Sequence, residues 1–222
     1  MAEVSFCGIV LGKGENMADK KKAKEKKIGK AAVKVADEAT EVTAFNVGFT
    51  KANNPGNLIQ RTLIIFKPDA VQRGIVGEIL SRFERVGLKI VATKMVNPDK
   101  DRYYHHYEGI SKMVSRRGQK AFDLVVGFMT SGPVILMVLE GVEAIPVVRK
   151  IVGSTEPMAA DMGTIRGDYA HVTFGYADAH DEAVPNLIHA SGNPEEADAE
   201  VSYWFKPEEI QIYHTLSEKF TR

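Results

Sequence analysis

A single cysteine, Cys7, leaves this chain without an internal disulfide framework and without any multi-cysteine zinc site, which fits a reducing compartment. Lysine plus arginine equals aspartate plus glutamate at 29 each, so the chain as a whole has no excess charge with which to hold nucleic acid or an anionic membrane. No apolar run approaches the roughly 18 residues that a membrane span needs. The opening stretch Phe6-Cys7-Gly8-Ile9-Val10-Leu11 is short and follows Glu3 rather than a basic region, so it makes a poor signal peptide. A phosphate-cradling glycine loop is also missing. Gly8-Ile9-Val10-Leu11-Gly12-Lys13 has too few residues between its glycines and no Ser or Thr after the lysine. A cytoplasmic protein with no membrane attachment is expected.

What is present divides into two parts. Between Asp19 and Lys34 stand eight lysines against two acids, a composition that reads as a solvated tail, with a nucleic-acid arm as the lesser reading. Asn53-Asn54-Pro55-Gly56-Asn57 is a turn cluster and a natural boundary, which separates a lysine-rich, flexible extension over 1–57 from a domain over 58–222. From Arg61 the chain becomes regular. Thr62 to Phe66 reads as a buried strand, Val76 to Val86 as a helix closed by Gly87, and Leu88 to Val96 as a second strand. Helical regions follow over 99–107 and 120–129. Pro133 to Leu139 is a continuously apolar third strand, and 143–152 a short helix that tolerates Pro146 in its first turn. Residues 153–185 read as a long loop, and a loop of that length in a compact domain is more often functional than accidental. The alternation of strand and helix predicts an α/β (α+β) fold, a ferredoxin-like sandwich whose four-stranded antiparallel sheet carries helices over one face.

The fourth strand carries the chemistry. In Asn186-Leu187-Ile188-His189-Ala190-Ser191 an imidazole ends a short apolar run, directly ahead of a strong helix start. Asn193 suits the N-cap, Pro194 the first helical position, and Glu196 the capping-box acid. Ala197, Val201 and Trp204 recur at helical spacing, with Glu200 at the edge of their stripe. Glu200 can therefore hold one ring nitrogen of His189 while the other acts as base or nucleophile. A lone histidine of this kind is more often simply packed, so the rest of the chain decides. Lys67 ends a buried strand, Arg149 lies in the helix after the third strand, and Arg166 lies in the long loop. Converging with Thr155 and Asn186 on the edge where His189 stands, these cations describe a polyphosphate site.

These segments resemble nucleoside diphosphate kinases. The resemblance rests on Lys67-Pro68-Asp69-Ala70-Val71-Gln72-Arg73-Gly74, Ser131-Gly132-Pro133-Val134, Gly163-Thr164-Ile165-Arg166-Gly167-Asp168, Asn186-Leu187-Ile188-His189 and Trp204-Phe205-Lys206-Pro207-Glu208-Glu209, in family order. It implies that His189 takes the γ-phosphoryl group of one nucleoside triphosphate and passes it to a different nucleoside diphosphate, with Glu200 and Ser191 beside it. It further implies Lys67, Tyr107, Arg149, Thr155, Arg166 and Asn186 as phosphate and sugar ligands, Phe122 as a base-stacking ring, and Mg2+ carried in on the nucleotide with no metal site of the protein's own. A homohexamer or homotetramer is implied as well. Two departures stand out: a longer segment over 111–120, and a longer stretch between Tyr169 and Pro185. The alternative is a catalytically weak nucleotide-binding or scaffold module on the same fold. His105, His106, His171, His180 and His214 lack metal-ligand spacing, and a structural or surface role is expected for each.

Overall fold

The structure, a computed structural model, describes residues 58–221. The lysine-rich extension over 1–57 and its expected flexibility lie outside them. Four strands, β1 (Ile59–Phe66), β2 (Lys89–Val96), β3 (Val134–Val142) and β4 (Ile188–Ala190), form one sheet in the order β2-β3-β1-β4. All three pairings are antiparallel, as a ferredoxin-like sandwich requires. The central strand β1 has His189 of β4 opposite Ile65.

Helices cover both faces of the sheet, where the sequence pattern suggested one. Side chains alternate along a strand, and β1 sends Leu63 and Ile65 into a cluster with Tyr103, Met129, Val201 and Trp204. Ile64 and Phe66 enter a second cluster on the other side, with Ile79, Phe83, Val148 and Ile165. A strand that is apolar at every position rather than at every second one is buried on both faces. Leu63-Ile64-Ile65-Phe66 is such a run, all of it fully buried, as is Thr62 before it.

The helices follow from local chemistry. After β1 comes the short α1 (Pro68–Gln72), then α2 (Val76–Arg85), whose buried Ile79 and Phe83 are one turn apart. Asp99 caps α3 (Lys100–Tyr104) by accepting from Arg102 N–H, and α3 runs directly into a π-helical turn over His105–Ile110. Such widened turns are frequent at functional sites. The short α4 (Met113–Arg117) and α5 (Gln119–Met129) lead to β3, and α6 (Ala144–Val152) follows it. The stretch over 153–185 holds more order than a loop. Thr164 caps α7 (Ile165–Tyr169) and Thr173 caps α8 (Phe174–Ala179) through their side-chain oxygens. Asn193 caps α9 (Pro194–Trp204) by accepting from Glu196 N–H at 2.8 Å, while the Glu196 carboxylate accepts from Gly192, one residue before the cap. Phe122 is buried on the α5 face that also carries Val126 and Met129, where its ring meets Tyr104 edge-on at 5.5 Å.

A cross-strand ion triad ties the far end of the sheet. Glu140 of β3 is in register with Arg61 of β1 and with Lys89 of β2. It accepts from Arg61 Nε at 2.8 Å and lies 3.0 Å from Lys89 Nζ, with all three side chains largely buried. Removing the shared acid takes a counter-charge from two largely buried cations, although Lys89 keeps Glu218 at 3.3 Å, and breaking a buried ion pair costs about 3–5 kcal/mol. Glu140→Ala is therefore expected to lower unfolding free energy by about 3–5 kcal/mol in urea titration, whereas a loss below 1 kcal/mol contradicts this role for the triad.

Candidate active site

A cavity of about 760 Å3 opens at the end of the sheet where β1 finishes and β4 begins, and Lys67, Tyr107, Arg149, Thr155, Arg166, Asn186 and His189 all line it. They come from separate parts of the chain: the end of β1, the π-helical turn, α6 and the turn after it, α7, and the approach to β4. Phe122 does not line it. The sequence expectation of a stacking ring at that position is corrected to a core residue, and Ala121, Leu124 and Val125 face the cavity from the same helix. Phe174 of α8 lines it from the other side, and its ring lies 5.0 Å from the Arg117 guanidinium. Lys120 of α5 and Asp181, just past α8, form an exposed ion pair, so the two segments that lengthen this chain meet beside the cavity.

The approach to β4 is built on strain. Leu187 has φ 69°, and Ile188 N–H donates back to Asn186 C=O at 2.8 Å, which makes a γ-turn. A left-handed leucine costs of order 1–3 kcal/mol and persists only where its surroundings hold it. Here Leu187 is fully buried, its N–H donates to Asp69 Oδ2 at 3.0 Å, and its C=O accepts from Lys67 N–H at 2.9 Å. The turn that presents His189 is thereby fastened to the residues around Lys67.

Two cations fasten it further. Arg166 donates from Nε to Asn186 C=O, from Nη1 to the Gly153 and Ser154 carbonyls, and from Nη2 to Ile188 C=O at 2.6 Å. Four of its five N–H groups thus go to main chain, and the guanidinium acts as a positioned charge at the cavity wall. Burial and the nearby Arg149 charge lower its pKa to about 10, so it stays charged at neutral pH. Lys67 Nζ donates to Asn186 Oδ1 at 2.6 Å, and Asn186 Nδ2 donates to Thr155 C=O at 2.8 Å. Burial, then the charge of Arg166, lowers Lys67 to about 8 against the opposing pull of Asp69. The Tyr107 hydroxyl is buried without a hydrogen-bond partner, and burial pushes its pKa far up, so it is an O–H donor free for a ligand.

His189 is braced from behind. Its Nε2 lies 2.9 and 3.0 Å from the two oxygens of Glu200, a fully buried carboxylate on α9. The Ser191 hydroxyl donates to Glu200 Oε2 at 2.7 Å and accepts from Leu63 N–H at 3.2 Å, which ties the acid to β1. Burial works to raise the Glu200 pKa, but the His189 charge and hydrogen bond, then His106 and Ser191, bring it to about 2. An ionised acceptor-only carboxylate at Nε2 requires that nitrogen to carry the proton, which leaves the Nδ1 lone pair of the cavity-lining ring as the nucleophile.

His106, for which the sequence suggested a structural or surface role, is packed inside the domain beside His189. It is fully buried, its ring stands nearly perpendicular to that of His189 at 4.7 Å, and its Nε2 lies 3.9 Å from Glu200 Oε1. Among the described residues, His106, His189 and Glu200 are the one grouping with the spacing of metal ligands. Trp204 argues against that use. Its Nε1–H can only donate, and it lies 3.2 Å from His106 Nδ1, so a neutral His106 carries its proton on Nε2 and has no lone pair there for a metal. A buried tryptophan needing an acceptor was the signal in the sequence, but nothing in the spacing says which residue answers it. Arg116 and Arg117, which also line the cavity, were hidden in a segment read as an insertion.

A sequence model of the family described as "Nucleoside diphosphate kinase" matches residues 60–210. The chain belongs to the nucleoside diphosphate kinase family. Among its relatives, the nucleoside diphosphate kinase of Pyrococcus furiosus is 46% identical over 166 residues, which cover 75% of this chain and 95% of that protein. Among solved structures, the Borrelia burgdorferi enzyme, a transition-state mimic with bound vanadate and ADP, matches with a TM-score of 0.72 at 43% identity, covering 74% of this chain and 97% of that one. A halophilic nucleoside diphosphate kinase from Halobacterium salinarum in complex with CDP matches with a TM-score of 0.61 at 34% identity over 72% and 97% of the two chains. The chain is accordingly a phosphotransferase that moves the γ-phosphoryl group of a nucleoside triphosphate to a nucleoside diphosphate, a reaction that uses a divalent metal.

Placement of Phe122 in the core gives a test. Phe122→Leu is expected to leave the KM for purine and pyrimidine nucleotides unchanged while lowering stability by about 1–2 kcal/mol, because the smaller side chain leaves a cavity in the core. A KM raised severalfold for every nucleotide returns the ring to the cavity.

Proposed function

We propose that this chain carries out phosphoryl transfer by a ping-pong mechanism through phosphohistidine at His189. The observation that carries this reading is the pairing of His189 Nε2 with the buried Glu200 at 2.9 Å in a ring that lines the same cavity as Lys67, Arg149 and Arg166. In the first half-reaction the Nδ1 lone pair attacks the γ-phosphorus and a nitrogen–phosphorus bond forms. The bond from that phosphorus to the bridging oxygen breaks, and its electron pair leaves with the nucleoside diphosphate. The Nε2 proton stays on the ring, where Glu200 balances the positive charge the imidazole develops. A β-phosphate oxygen of a second nucleoside diphosphate then takes the group by the reverse path.

Lys67, Arg149 and Arg166 supply fixed positive charge to the transferring phosphoryl, with the Tyr107 and Thr155 hydroxyls as donors. Such preorganised groups contribute about 2.7–4 kcal/mol each where measured. Asn186 positions the Lys67 ammonium. Magnesium is the divalent ion in this reading, entering on the nucleotide phosphates as part of the substrate. The apolar side chains of Leu124, Val125 and Phe174 receive the base, and apolar faces favour no single base. Domain limits of 58–222, a closed assembly of four or six copies and a cytoplasmic location complete the proposal, the last supported by the lone Cys7.

Incubation with γ-labelled ATP and no acceptor should leave an acid-labile, alkali-stable label on His189, discharged by any added nucleoside diphosphate; a folded protein that takes up no label refutes the mechanism. Lys67 gives a second test. A base with a pKa lowered to about 8 loses its charge as pH rises through that value, and polyphosphate in the cavity favours the charged form. Nucleotide binding should therefore take up a proton above about pH 8, seen as a buffer-dependent enthalpy in calorimetry, and Lys67→Gln should abolish the uptake. Equal enthalpies in buffers of different ionisation heat contradict this role.

A further inference from the structure

We propose that His106 is a positioning residue for phosphoryl transfer: Trp204 locks it as the Nε2–H tautomer, and that N–H faces Glu200 as a third donor while the ring braces His189. This rests on His189 being the phosphorylated residue. Three observations support it together. Trp204 Nε1–H lies 3.2 Å from His106 Nδ1, and a donor there forces the other nitrogen to hold the proton. The His106 Nε2 has no hydrogen-bond partner although it is fully buried, and the acceptor facing it is Glu200 Oε1 at 3.9 Å. Its ring stands at 77° to His189, 4.7 Å away, so it limits how His189 can rotate away from the acid.

A buried donor left unpaired is costly, and such groups in native structures are tied to strain or to function. Here a small closing movement of Glu200 or His106 completes the bond. Positive charge developing on His189 polarises the carboxylate, which already takes His189 and Ser191 as donors, and a third donor keeps it ionised and centred. The neutrality of His106 is part of the device. The imidazole faces His189, Glu200, Lys67 and His105, and burial with the neighbouring His189 holds it at about 3, so it presents a dipole rather than a charge that would oppose the one forming on His189. His106 does not line the cavity, whereas its neighbour Tyr107 does. It touches the reaction only through Glu200 and His189.

The experiment compares His106→Gln and His106→Phe in the full chain by single-turnover phosphorylation from ATP and by steady-state kinetics over pH. Gln can offer an oxygen to Trp204 and an N–H to Glu200, whereas Phe keeps ring volume and offers neither. In the Phe variant the phosphorylation rate should fall on the order of ten- to a hundredfold, the range set by losing a donor to a buried charged acceptor. KM should not change, and the acid limb of the pH profile should move to higher pH because Glu200 is then easier to protonate. The Gln variant should recover most of the rate. Nitrogen NMR of the wild-type chain should show His106 protonated at Nε2 throughout the neutral range, a readout that stands even if the Phe variant does not fold. The proposal is overturned by a Phe variant with wild-type rate and acid limb, by equal losses in both variants, which leave only ring packing, or by a proton on Nδ1. A wild-type chain that takes no label on His189 overturns the parent reading instead.

Discussion

The site depends on one carboxylate kept charged where water cannot reach it. Glu200 is fully exposed to the penalty of burial, and a lone ionised acid there would neutralise itself. It stays ionised because the fold surrounds it with groups that can donate. His189 is the middle residue of the short β4 strand, Ser191 follows its last residue, and His106 comes from the π-helical turn. Each holds its place by a further bond, Ser191 to β1 and His106 to Trp204, one turn beyond Glu200 on the same helix. The acid thus specifies the packing of three elements, and their packing specifies the acid.

The second constraint is that positive charge must be concentrated without a phosphate to balance it. Lys67 and Arg166 are buried, and desolvation lowers both pKa values. The fold meets this with main-chain carbonyls and with Asn186, which accept their N–H groups, and with Asp69 as a nearby counter-charge. Those same bonds hold the left-handed turn at Leu187 ahead of His189. Charge concentration and nucleophile placement are therefore one structure: two of the four carbonyls that receive Arg166, those of Asn186 and Ile188, belong to the strained turn and to the strand that carries the imidazole. A glycine-rich loop binds phosphate with backbone N–H groups; here the backbone around the site faces the cations with its carbonyls, and side chains meet the ligand.

Much of this was legible in the chain because it is local. The Asn193 cap, Pro194 and the Ala197, Val201, Trp204 stripe define α9 and bring Glu200 back toward His189 within a single turn-and-helix unit. The apolar run Leu63-Ile64-Ile65-Phe66 within β1 announced a buried strand, and only the number of covered faces was misjudged, since burial on both sides was already implied by the lack of alternation in that run. Phe122 was also readable: Phe122, Val126 and Met129 recur at core spacing, while Ala121, Leu124 and Val125 lie on the adjoining face toward the cavity, and the stacking role came from resemblance set against that pattern. The role of His106 could not be read, because it depends on a contact with Trp204 across 98 positions of chain. The same holds for the meeting of the two lengthened segments through Lys120 and Asp181, which is a matter of tertiary packing alone.

The central claim is that Glu200 holds the proton on His189 Nε2 and so makes Nδ1 the reacting atom. The most direct measurement is the site of phosphorylation on the ring, read from phosphorus–nitrogen coupling by NMR on protein phosphorylated with ATP and kept at alkaline pH. The account predicts the phosphoryl group on Nδ1 with a proton retained on Nε2. A phosphoryl group on Nε2 would require the ring to leave Glu200 and would contradict it.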